Sequence, residues 1–255
     1  MKRTRFPFVV TRPAPDHRKL MATLSKIGAR AIHCPAFEIE HPADMQLGER
    51  IERLGKFDLV IVTSPVGART LAAHSAEQPG IHGPRYFAPG QGTAYALASA
   101  GLPVGFPSTG GTSEDILAMG EFADVDGLAI AIVGAPGGRG LLEQSLSERG
   151  ARVERVNIYR RKKLPPSRAL IDALEQRYEP VVLITSLQAF DLITSSLPDR
   201  LKPSWLAARF VVSSRRLEGA SRDAGVRRIQ RAAAASDKEM LAAAFAAGWL
   251  PAAAD

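Results

Sequence analysis

The sequence contains a single cysteine, Cys34, so no disulfide bond can form within the chain. This cysteine usage fits a reducing compartment, and we expect the protein to be cytoplasmic. No stretch of about 18 apolar residues occurs, so no membrane-spanning helix is expected. Met1–Val10 carries cations, but polar Thr11-Arg12-Pro13 follows at once and no apolar signal-peptide region develops.

Residue patterns that would indicate a metal or a nucleotide are also missing. The five histidines show no ligand spacing, and His33 with Cys34 is too sparse for a zinc site. Gly90–Gly92 begins like a dinucleotide fingerprint, but Tyr95 stands at the third glycine position. Gly134–Gly138 lacks the Gly-Lys-Ser/Thr of a phosphate-binding loop. No Ser-His-Asp or Gly-x-Ser-x-Gly arrangement stands out. We therefore expect a site without metal or cofactor.

The composition that is present describes a folded, basic protein. The chain has 255 residues, of which 45% are hydrophobic, enough for one large domain or two of about 120 residues. The net charge of 33 − 26 = +7 favours anionic partners: nucleic acid, acidic lipid or a small polycarboxylate. The cations are spread along the chain apart from Arg160–Lys163 and a few pairs, which weakens the nucleic-acid interpretation.

Short apolar segments alternate with helical patterns along the whole chain, which predicts an α/β protein with parallel sheets. Asp58–Val62 has a wholly apolar core, as is typical of parallel strands covered on both faces. The predicted strands are Phe6–Val10, Ala31–Cys34, Phe37–Glu40, Asp58–Val62, Tyr86–Ala88, Val104–Phe106, Leu128–Val133, Val153–Tyr159, Val181–Ile184, Phe210–Val212 and Val226–Ile229.

Helix ends can be placed from capping residues. The first helix is predicted to bury Leu20, Leu24 and Ile27 and to end at Gly28. Ser64 is a good N-cap, and Pro65 after it suits the first position of a helix.

Strand-end turns recur at a nearly constant offset. Five pairs match in order: Val10–Pro13 with Val133–Pro136 (133 − 10 = 123), Gly28–Arg30 with Gly150–Arg152 (150 − 28 = 122), Val62–Ser64 with Ile184–Ser186 (184 − 62 = 122), Ala100-Gly101 with Ala224-Gly225 (224 − 100 = 124) and Ser113-Glu114 with Ser236-Asp237 (236 − 113 = 123). The pattern favours two copies of one α/β unit. The alternative is that any two α/β domains share such caps and turns.

Small polar residues follow the predicted strands, where open parallel sheets bind their ligands. They include Thr11, Thr63, Gly90–Thr93, Thr185 and Ser213. Helix N-termini at these turns present free N–H groups that hold carboxylates or phosphates. Each serine alone is equally well explained as an N-cap, but the set facing one crevice favours anion binding.

Val153–Pro166 stands at the seam between the two series of elements. Its alternating pattern reaches Tyr159, four cations follow in Arg160–Lys163, and Pro165-Pro166 stops any regular element. The segment is either a site for an acidic substrate or a connector, and the residues alone leave both open. The cation run alone is more typical of a solvated face.

With these residues placed, the chain resembles the uroporphyrinogen-III synthase family. The matching pieces are Val10–Pro13, Asp58–Ser64 with Ala68, Pro89–Ala94 with Gly101, Ser113-Glu114, Gly134–Arg139, Val156–Tyr159, Val182–Ser186, Val212–Arg215 and Ser236–Leu241. The resemblance implies two flavodoxin-like domains with parallel sheets joined by a two-stranded β ladder. One domain would comprise 1–35 plus 166–255 and the other 39–158, with 36–40 and 156–165 as the ladder.

The resemblance also implies a reaction. The family closes linear hydroxymethylbilane to uroporphyrinogen III, with loss of water and inversion of the last ring, and uses no metal or cofactor. The substrate carries eight carboxylates and would lie in the cleft between the domains. Without enzyme the bilane closes to the uninverted isomer, so the protein would act mainly by orienting its substrate.

Site residues follow from the same resemblance. The family's tyrosine matches Tyr159, whose hydroxyl would donate a proton to the departing hydroxyl. Substrate-binding positions match Arg12, Thr63, Ser64, Gly92, Thr93, Gly134, Gly137, Thr185, Ser186 and Ser214. In the second copy, Ser214–Leu217 stands where the first has Gly90–Thr93 and lacks its Gly-Thr. We expect a monomer that binds neither nucleic acid nor membrane.

Two other functions remain open from the residues. A non-catalytic two-domain binder of an anionic small molecule would have the same fold and cleft. A nucleic-acid or regulatory module would use the basic face instead.

Overall fold

The computed structural model describes residues 6–74, 79–109, 111–137 and 140–250. The strands in these ranges are β1 (Phe8–Val10), β2 (Ala31–His33), β3 (Phe37–Glu40), β4 (Leu59–Val62), β5 (Arg85–Phe87), β6 (Val104–Gly105), β7 (Ala129–Gly134), β8 (Arg152–Asn157), β9 (Arg160–Lys163), β10 (Val181–Ile184), β11 (Arg209–Val212) and β12 (Arg228–Arg231).

The α-helices in the same ranges are α1 (His17–Lys26), α2 (Asp44–Glu52), α3 (Pro65–His74), α4 (Gln91–Ala98), α5 (Ser113–Leu117), α6 (Leu141–Glu148), α7 (Arg168–Glu175), α8 (Leu187–Ser196), α9 (Lys202–Leu206), α10 (Arg215–Asp223) and α11 (Asp237–Ala246). Short 3-10 turns occupy Arg53–Lys56, Pro79–His82, Gly120–Phe122 and Asp199–Leu201. None of the described helices is long and apolar enough to cross a bilayer.

The chain divides into two compact units. Unit 1 comprises Met1–Ile39 with Lys162–Asp255, and unit 2 comprises Glu40–Arg161. The boundaries fall inside β3 and β9, which pair with each other as a two-stranded antiparallel sheet.

Unit 1 is built on a parallel sheet of order β12-β11-β10-β1-β2. Successive residues of β1 point to opposite faces: Val9 packs with Val182 in one core cluster, and Phe8 packs with Val181 in another. Both faces of this sheet are therefore covered, which explains why its central strands β1 and β10 are apolar without alternation.

Unit 2 has a second parallel sheet, of order β6-β5-β4-β7-β8. Leu59 and Ile61 of β4 pack with Ile130 and Ile132 of β7 in its core. Strand by strand, β4–β6 correspond to β10–β12, and β7 and β8 correspond to β1 and β2. If the two sequence copies are β1–β6 and β7–β12, each sheet combines strands from both.

The predicted fold class is confirmed: two parallel sheets of an α/β protein accompany a two-stranded antiparallel sheet. Gly28 closes α1 with a φ of 71°, as its predicted capping role requires. Ser64 caps α3, because its Oγ accepts a hydrogen bond from the Gly67 N–H at 3.1 Å.

Two predictions about elements were wrong, and one helix was missed. Ile27 is 36% exposed because α1 ends at Lys26 and Ile27 lies at its cap. The last strand of unit 1 runs over Arg228–Arg231 rather than Val226–Ile229, since Val226 still completes the turn after α10 by donating to the Ser221 carbonyl. Helix α9 was not predicted, although it buries Trp205 completely.

The predicted strand Val153–Tyr159 also differs from the structure. β8 ends at Asn157, and β9 begins only at Arg160, so the ladder is shorter than the predicted 156–165. Val156 and Asn157 pair with β7 of unit 2 instead. Tyr159 consequently lies in a two-residue break between strands.

Candidate functional site

The centre of the unit 2 sheet provides the framework of the site. β4 and β7 are neighbours, while the chain continues from β4 toward β5 on one side and from β7 toward β8 on the other. Such a point, where the strand order reverses, opens a crevice at the carboxyl ends of the strands. Thr63 and Ser64 follow β4 there, and β7 ends at Gly134.

Gly134 and Thr63 lie so close together that only a glycine can occupy position 134. The Thr63 Oγ1 donates a hydrogen bond to the Val133 carbonyl at 3.1 Å. A Cβ atom on Gly134 would lie 2.5 Å from that Oγ1, closer than atoms tolerate. Gly137, three residues on, has a φ of 85°, which glycine adopts readily. The last residues of the matched motif, Gly138 and Arg139, lie outside the described part of the chain.

Tyr159 meets the start of α3. Its side chain is only 2% exposed, and its hydroxyl lies 2.9 Å from the Ser64 Oγ. The Ser64 Oγ already accepts the Gly67 N–H, so its own hydrogen is available to the phenol oxygen.

Arg161 is a second neighbour of the same phenol. One guanidinium nitrogen donates toward the Tyr159 oxygen at 3.5 Å, and the guanidinium carbon lies 5.8 Å from the ring centre. When Ser64 and Arg161 both donate, the phenol proton is left for another acceptor.

Tyr86 shows what a tyrosine with a purely structural hydroxyl looks like in the same unit. Its hydroxyl donates to the Ile81 carbonyl at 2.6 Å, and burial raises its pKa well above the usual range. A carbonyl oxygen cannot donate, so the Tyr86 proton is committed. Tyr159 differs because both of its polar neighbours are able to donate.

Tyr159 and Ser64 line a pocket of about 180 Å³. The other residues of its wall are Thr63, Ser113, Ala135, Pro136, Gly137, Gly140, Leu141, Leu142, Glu143, Arg155 and Arg161. Arg155 forms an ion pair with Glu143 and also donates to the Ala135 carbonyl at 3.2 Å. The pocket thus combines hydroxyl groups, turn backbone and two guanidinium groups, a set suited to an anionic, partly apolar ligand.

The structure places three of the predicted binding residues, Thr63, Ser64 and Gly137, on this pocket together with the predicted catalytic residue Tyr159, and Gly134 lies directly behind Thr63. Gly92 and Thr93 stand elsewhere in unit 2, in the first turn of α4, and are not part of the pocket wall. Thr93 is buried, and its N–H donates to the Gly90 carbonyl at 3.1 Å.

The remaining predicted residues belong to unit 1. Ser186 and Ser214 cap α8 and α10, accepting from the N–H groups of Ala189 and Leu217 at 3.3 and 3.2 Å. The Thr185 carbonyl accepts a hydrogen bond from Ser213.

Arg12 is held by an internal ion pair. A guanidinium nitrogen lies 2.7 Å from Oδ1 of Asp237, and another donates to the Ala235 carbonyl. This pairing occupies the guanidinium that sequence reasoning assigned to the substrate.

Two histidines stack beside Arg12. The rings of His17 and His33 lie 3.7 Å apart and nearly parallel, and the His33 Nε2 contacts the Arg12 carbonyl at 2.7 Å. Burial, with the neighbouring His33 and Arg18, lowers the pKa of His17. Cys34 is also buried, and burial raises the pKa of its thiol.

Sequence reasoning missed the individual roles of Arg161 and of the Glu143–Arg155 pair. Arg161 was included only as part of a solvated cation run, and β9 is indeed exposed. Its position two residues after Tyr159 was the available signal. Within the described ranges no group of three or more His, Cys, Asp or Glu side chains is placed to hold a metal ion.

Comparison with known proteins identifies relatives along nearly the whole chain. A family model described as uroporphyrinogen-III synthase HemD matches residues 18–242. The uroporphyrinogen-III synthase of Escherichia coli strain K12 is 29% identical over 242 residues, covering 92% of this chain and 98% of that protein. That of Salmonella typhimurium strain LT2 is 29% identical over 247 residues, with the same coverage of 92% and 98%.

Solved structures share the fold. A mutant uroporphyrinogen III synthase from the extremely thermophilic bacterium Thermus thermophilus matches with a TM-score of 0.68 at 21% identity, covering 95% of this chain and 98% of that one. Uroporphyrinogen-III synthetase from Helicobacter pylori 26695 matches with a TM-score of 0.59 at 14% identity, covering 94% and 99%. Because the family model spans most of the sequence, the chain belongs to the uroporphyrinogen-III synthase family.

Proposed function

We propose that the chain closes hydroxymethylbilane to uroporphyrinogen III and that Tyr159 supplies the proton that the leaving hydroxyl needs. Family membership makes the chain a cyclising lyase of tetrapyrrole biosynthesis. The identity of the bilane substrate and the roles of individual residues are the proposed part.

The first step breaks the bond between the terminal methylene carbon and its hydroxyl oxygen. The lone pair of the adjacent pyrrole nitrogen expels the hydroxyl, the Tyr159 proton goes with it, and water leaves. The resulting protonated azafulvene, a cation that keeps its pyrrole N–H, is attacked by the substituted carbon of the last ring, giving a spiro intermediate. Fragmentation and reclosure invert that ring, and the proton lost on closure balances the one donated.

The neighbours of Tyr159 suit this role. Donation of its proton leaves negative charge on the phenol oxygen, which has the Ser64 hydroxyl at 2.9 Å and the Arg161 guanidinium at 3.5 Å. Both groups are already in place before the charge develops, and preorganised donors stabilise such charge most effectively. The observation that carries the proposal is therefore the donor environment of the Tyr159 hydroxyl.

The carboxylates of the substrate are proposed to lie against the strand-end turns. Helix N-termini capped by Ser64, Ser186 and Ser214 offer backbone N–H groups to anions, and the net charge of +7 favours a polyanionic ligand. The other proposed contacts are Arg12, Thr63, Gly92, Thr93, Gly134, Gly137 and Thr185. Arg12 would contribute only by exchanging Asp237 for a substrate carboxylate.

Further parts of the proposal concern the whole molecule. We propose that the two compact units are the two domains of the family, and that the chain acts as a monomer in the cytoplasm without nucleic acid. The single cysteine, Cys34, is buried, which fits a reducing compartment. Light scattering at working concentration checks the oligomeric state, and a mass of two chains would contradict it.

The function is tested by incubating the purified protein with enzymatically generated hydroxymethylbilane and separating the product isomers. We expect uroporphyrinogen III to form faster than the blank reaction produces the uninverted isomer. If only the uninverted isomer appears, at the blank rate, the chain is not the enzyme, and binding of the bilane without turnover would favour a non-catalytic binder.

A further inference from the structure

The backbone that carries Tyr159 leaves the sheet just before it reaches the pocket. β8 ends at Asn157, and the next residue, Ile158, still donates its N–H to the Gly134 carbonyl at 3.1 Å. After Ile158 the chain no longer follows the β7 ladder. The position of the Tyr159 hydroxyl therefore depends on what else holds this break.

Two side chains from the first part of unit 2 bind the carbonyls of the break. Arg50 of α2 donates from Nη1 to the Asn157 carbonyl at 2.5 Å. His41, just after β3, places its Nδ1 3.1 Å from the Ile158 carbonyl. Because a carbonyl oxygen only accepts, the Nδ1 of His41 carries the hydrogen in this bond. The carbonyls of both residues preceding Tyr159 are thus held from outside the sheet.

Ile158 links this arrangement to Ser64. Its side chain is fully buried and reaches toward Gly67 of α3, where a Cβ would lie 3.9 Å from the Ile158 Cδ1. Gly67 in turn donates its N–H to the Ser64 Oγ. Fixing the backbone of Ile158 thereby fixes the distance between the Tyr159 and Ser64 hydroxyls.

His41 and Arg50 do not line the pocket that holds Ser64. They line a second cavity of about 460 Å³, which also includes Gln46, Asn157, Tyr159 and Arg160. The Tyr159 and His41 ring centres lie 6.5 Å apart, with the ring planes tilted by 56°. The hydrogen bonds by which His41 and Arg50 hold this segment both end on its backbone carbonyls, so their direct hold is on the backbone of the break.

We propose that His41 and Arg50 are positioning residues that hold the Asn157–Tyr159 backbone so that the Tyr159 hydroxyl points at the reacting hydroxyl. The expected loss of kcat rests on the proposed function, whereas the expected change in the surroundings of Tyr159 does not. Small misplacements of a reacting group cost far more in turnover than in binding.

The experiment combines turnover with a signal from Tyr159 itself. The chain has 4 tyrosines, so a protein labelled with 3-fluorotyrosine gives few fluorine resonances. Tyr159→Phe identifies the Tyr159 resonance by its loss. The test variants are His41→Ala and Arg50→Ala, and His41→Asn and Arg50→Lys restore a donor at each place.

Matched controls are available in the same unit. The His74 Nδ1 contacts the Thr70 carbonyl at 2.8 Å, and Arg149 donates to the Phe122 carbonyl at 2.5 Å. His74→Ala and Arg149→Ala therefore remove bonds of the same kind away from Tyr159. If an alanine test variant does not fold, His41→Phe or Arg50→Met, which lacks the donor but keeps more of the side-chain packing, takes its place.

In each test variant we expect the Tyr159 resonance to move and kcat to fall about tenfold, with KM changed less than about twofold. The donor-restoring variants should recover most of kcat, and the controls should leave the resonance unmoved. A Tyr159 resonance that stays in place in both test variants overturns the proposal. A resonance that moves without loss of kcat upholds the positioning role and contradicts proton donation by Tyr159 instead.

Discussion

The two compact units share one sheet plan but differ at its carboxyl end. β1 beside β10 in unit 1 corresponds to β7 beside β4 in unit 2, and the sequence offset of about 123 residues aligns their turns. At this point unit 1 places Arg12 where unit 2 places Ala135 (135 − 123 = 12). In the turn after β1, Arg12 forms an ion pair with Asp237. In the corresponding turn after β7, the small side chain of Ala135 lines the pocket of unit 2.

Tyr159 marks the second difference. With the offset between Gly28 and Gly150, its counterpart is Phe37 (159 − 122 = 37). Phe37 is 7% exposed and packs into the core of unit 1. The same place in the fold thus accommodates an aromatic ring without a hydroxyl, so the Tyr159 hydroxyl is not needed to build the unit.

The threonines at the two switch points are also arranged in opposite ways. In unit 2 the Thr63 Oγ1, after β4, donates across to Val133 of β7. In unit 1 the Thr11 Oγ1, after β1, donates across to Leu183 of β10 at 3.0 Å. The threonine thus follows β4 in unit 2 but β1, the counterpart of β7, in unit 1. Only in unit 2 does the threonine oxygen lie where a Cβ of the facing residue would be, so only there is a glycine, Gly134, required.

The largest predicted effect comes from giving unit 2 the threonine of unit 1. In Gly134→Thr the new Cβ collides with the Thr63 Oγ1, and such overpacking costs about 2–3 kcal/mol of unfolding free energy. Urea unfolding measures the loss, and turnover should fall with it. The double variant Gly134→Thr with Thr63→Ala removes the colliding oxygen and should regain most of the stability. Unchanged stability of the single variant would show that Thr63 moves aside freely.

A smaller effect separates the corresponding serines. Ser64→Ala and Ser186→Ala each remove an N-cap, and each should cost about 1 kcal/mol of stability. Only Ser64→Ala also removes the neighbour of the Tyr159 hydroxyl, so its kcat should fall about tenfold while that of Ser186→Ala stays within about twofold. Steady-state kinetics beside thermal unfolding gives both quantities. Equal kcat values would contradict the assignment of the chemistry to unit 2.

The smallest predicted effect concerns Glu179, whose counterpart in unit 2 is Phe57 (179 − 122 = 57). Its hydrogen bonds to Arg228 and Arg209 lower its pKa from 4.5 to about 2. A lowered carboxyl pKa contributes stability above pH 4.5 that is lost as the pH falls toward 2.

Glu179→Gln removes this contribution from unit 1 alone. Because the side chain is 46% exposed, the loss at neutral pH should not exceed about 1 kcal/mol. Unfolding of the variant and the wild type should differ at pH 7 and converge as the pH approaches 2. A difference that grew in acid would contradict the sign of the shift.

Much of this fold could be predicted from local patterns. Apolar strands such as Leu59–Val62 and caps such as Ser64 and Gly28 depend on neighbours in sequence, which the pattern displays directly. The recurring turns could be located because turns are short and their residues are restricted by backbone geometry. Ile27 was placed wrongly because helical periodicity does not indicate where the last turn ends.

Contacts between distant parts of the chain were not predictable in the same way. Nothing in Val153–Tyr159 shows that β8 ends at Asn157, because the ending depends on the partners that β7 and β3 offer. The bonds of Arg50 and His41 to backbone carbonyls span more than a hundred residues and need only a donor and a carbonyl. Such bonds have no residue-type signature. The sequence pattern around Val153–Pro166 therefore indicated Tyr159 but not that His41 and Arg50 bind the backbone just before it.

The most direct test of the account is the turnover of Tyr159→Phe, with Tyr86→Phe as its control. Tyr86→Phe loses a committed structural hydrogen bond and should lower stability by about 1 kcal/mol with kcat unchanged. Tyr159→Phe should fold like the wild type, since Phe37 fills the corresponding place in unit 1, but its kcat should fall about a hundredfold. Wild-type kcat in Tyr159→Phe would contradict the account and leave Tyr159 as a packing residue.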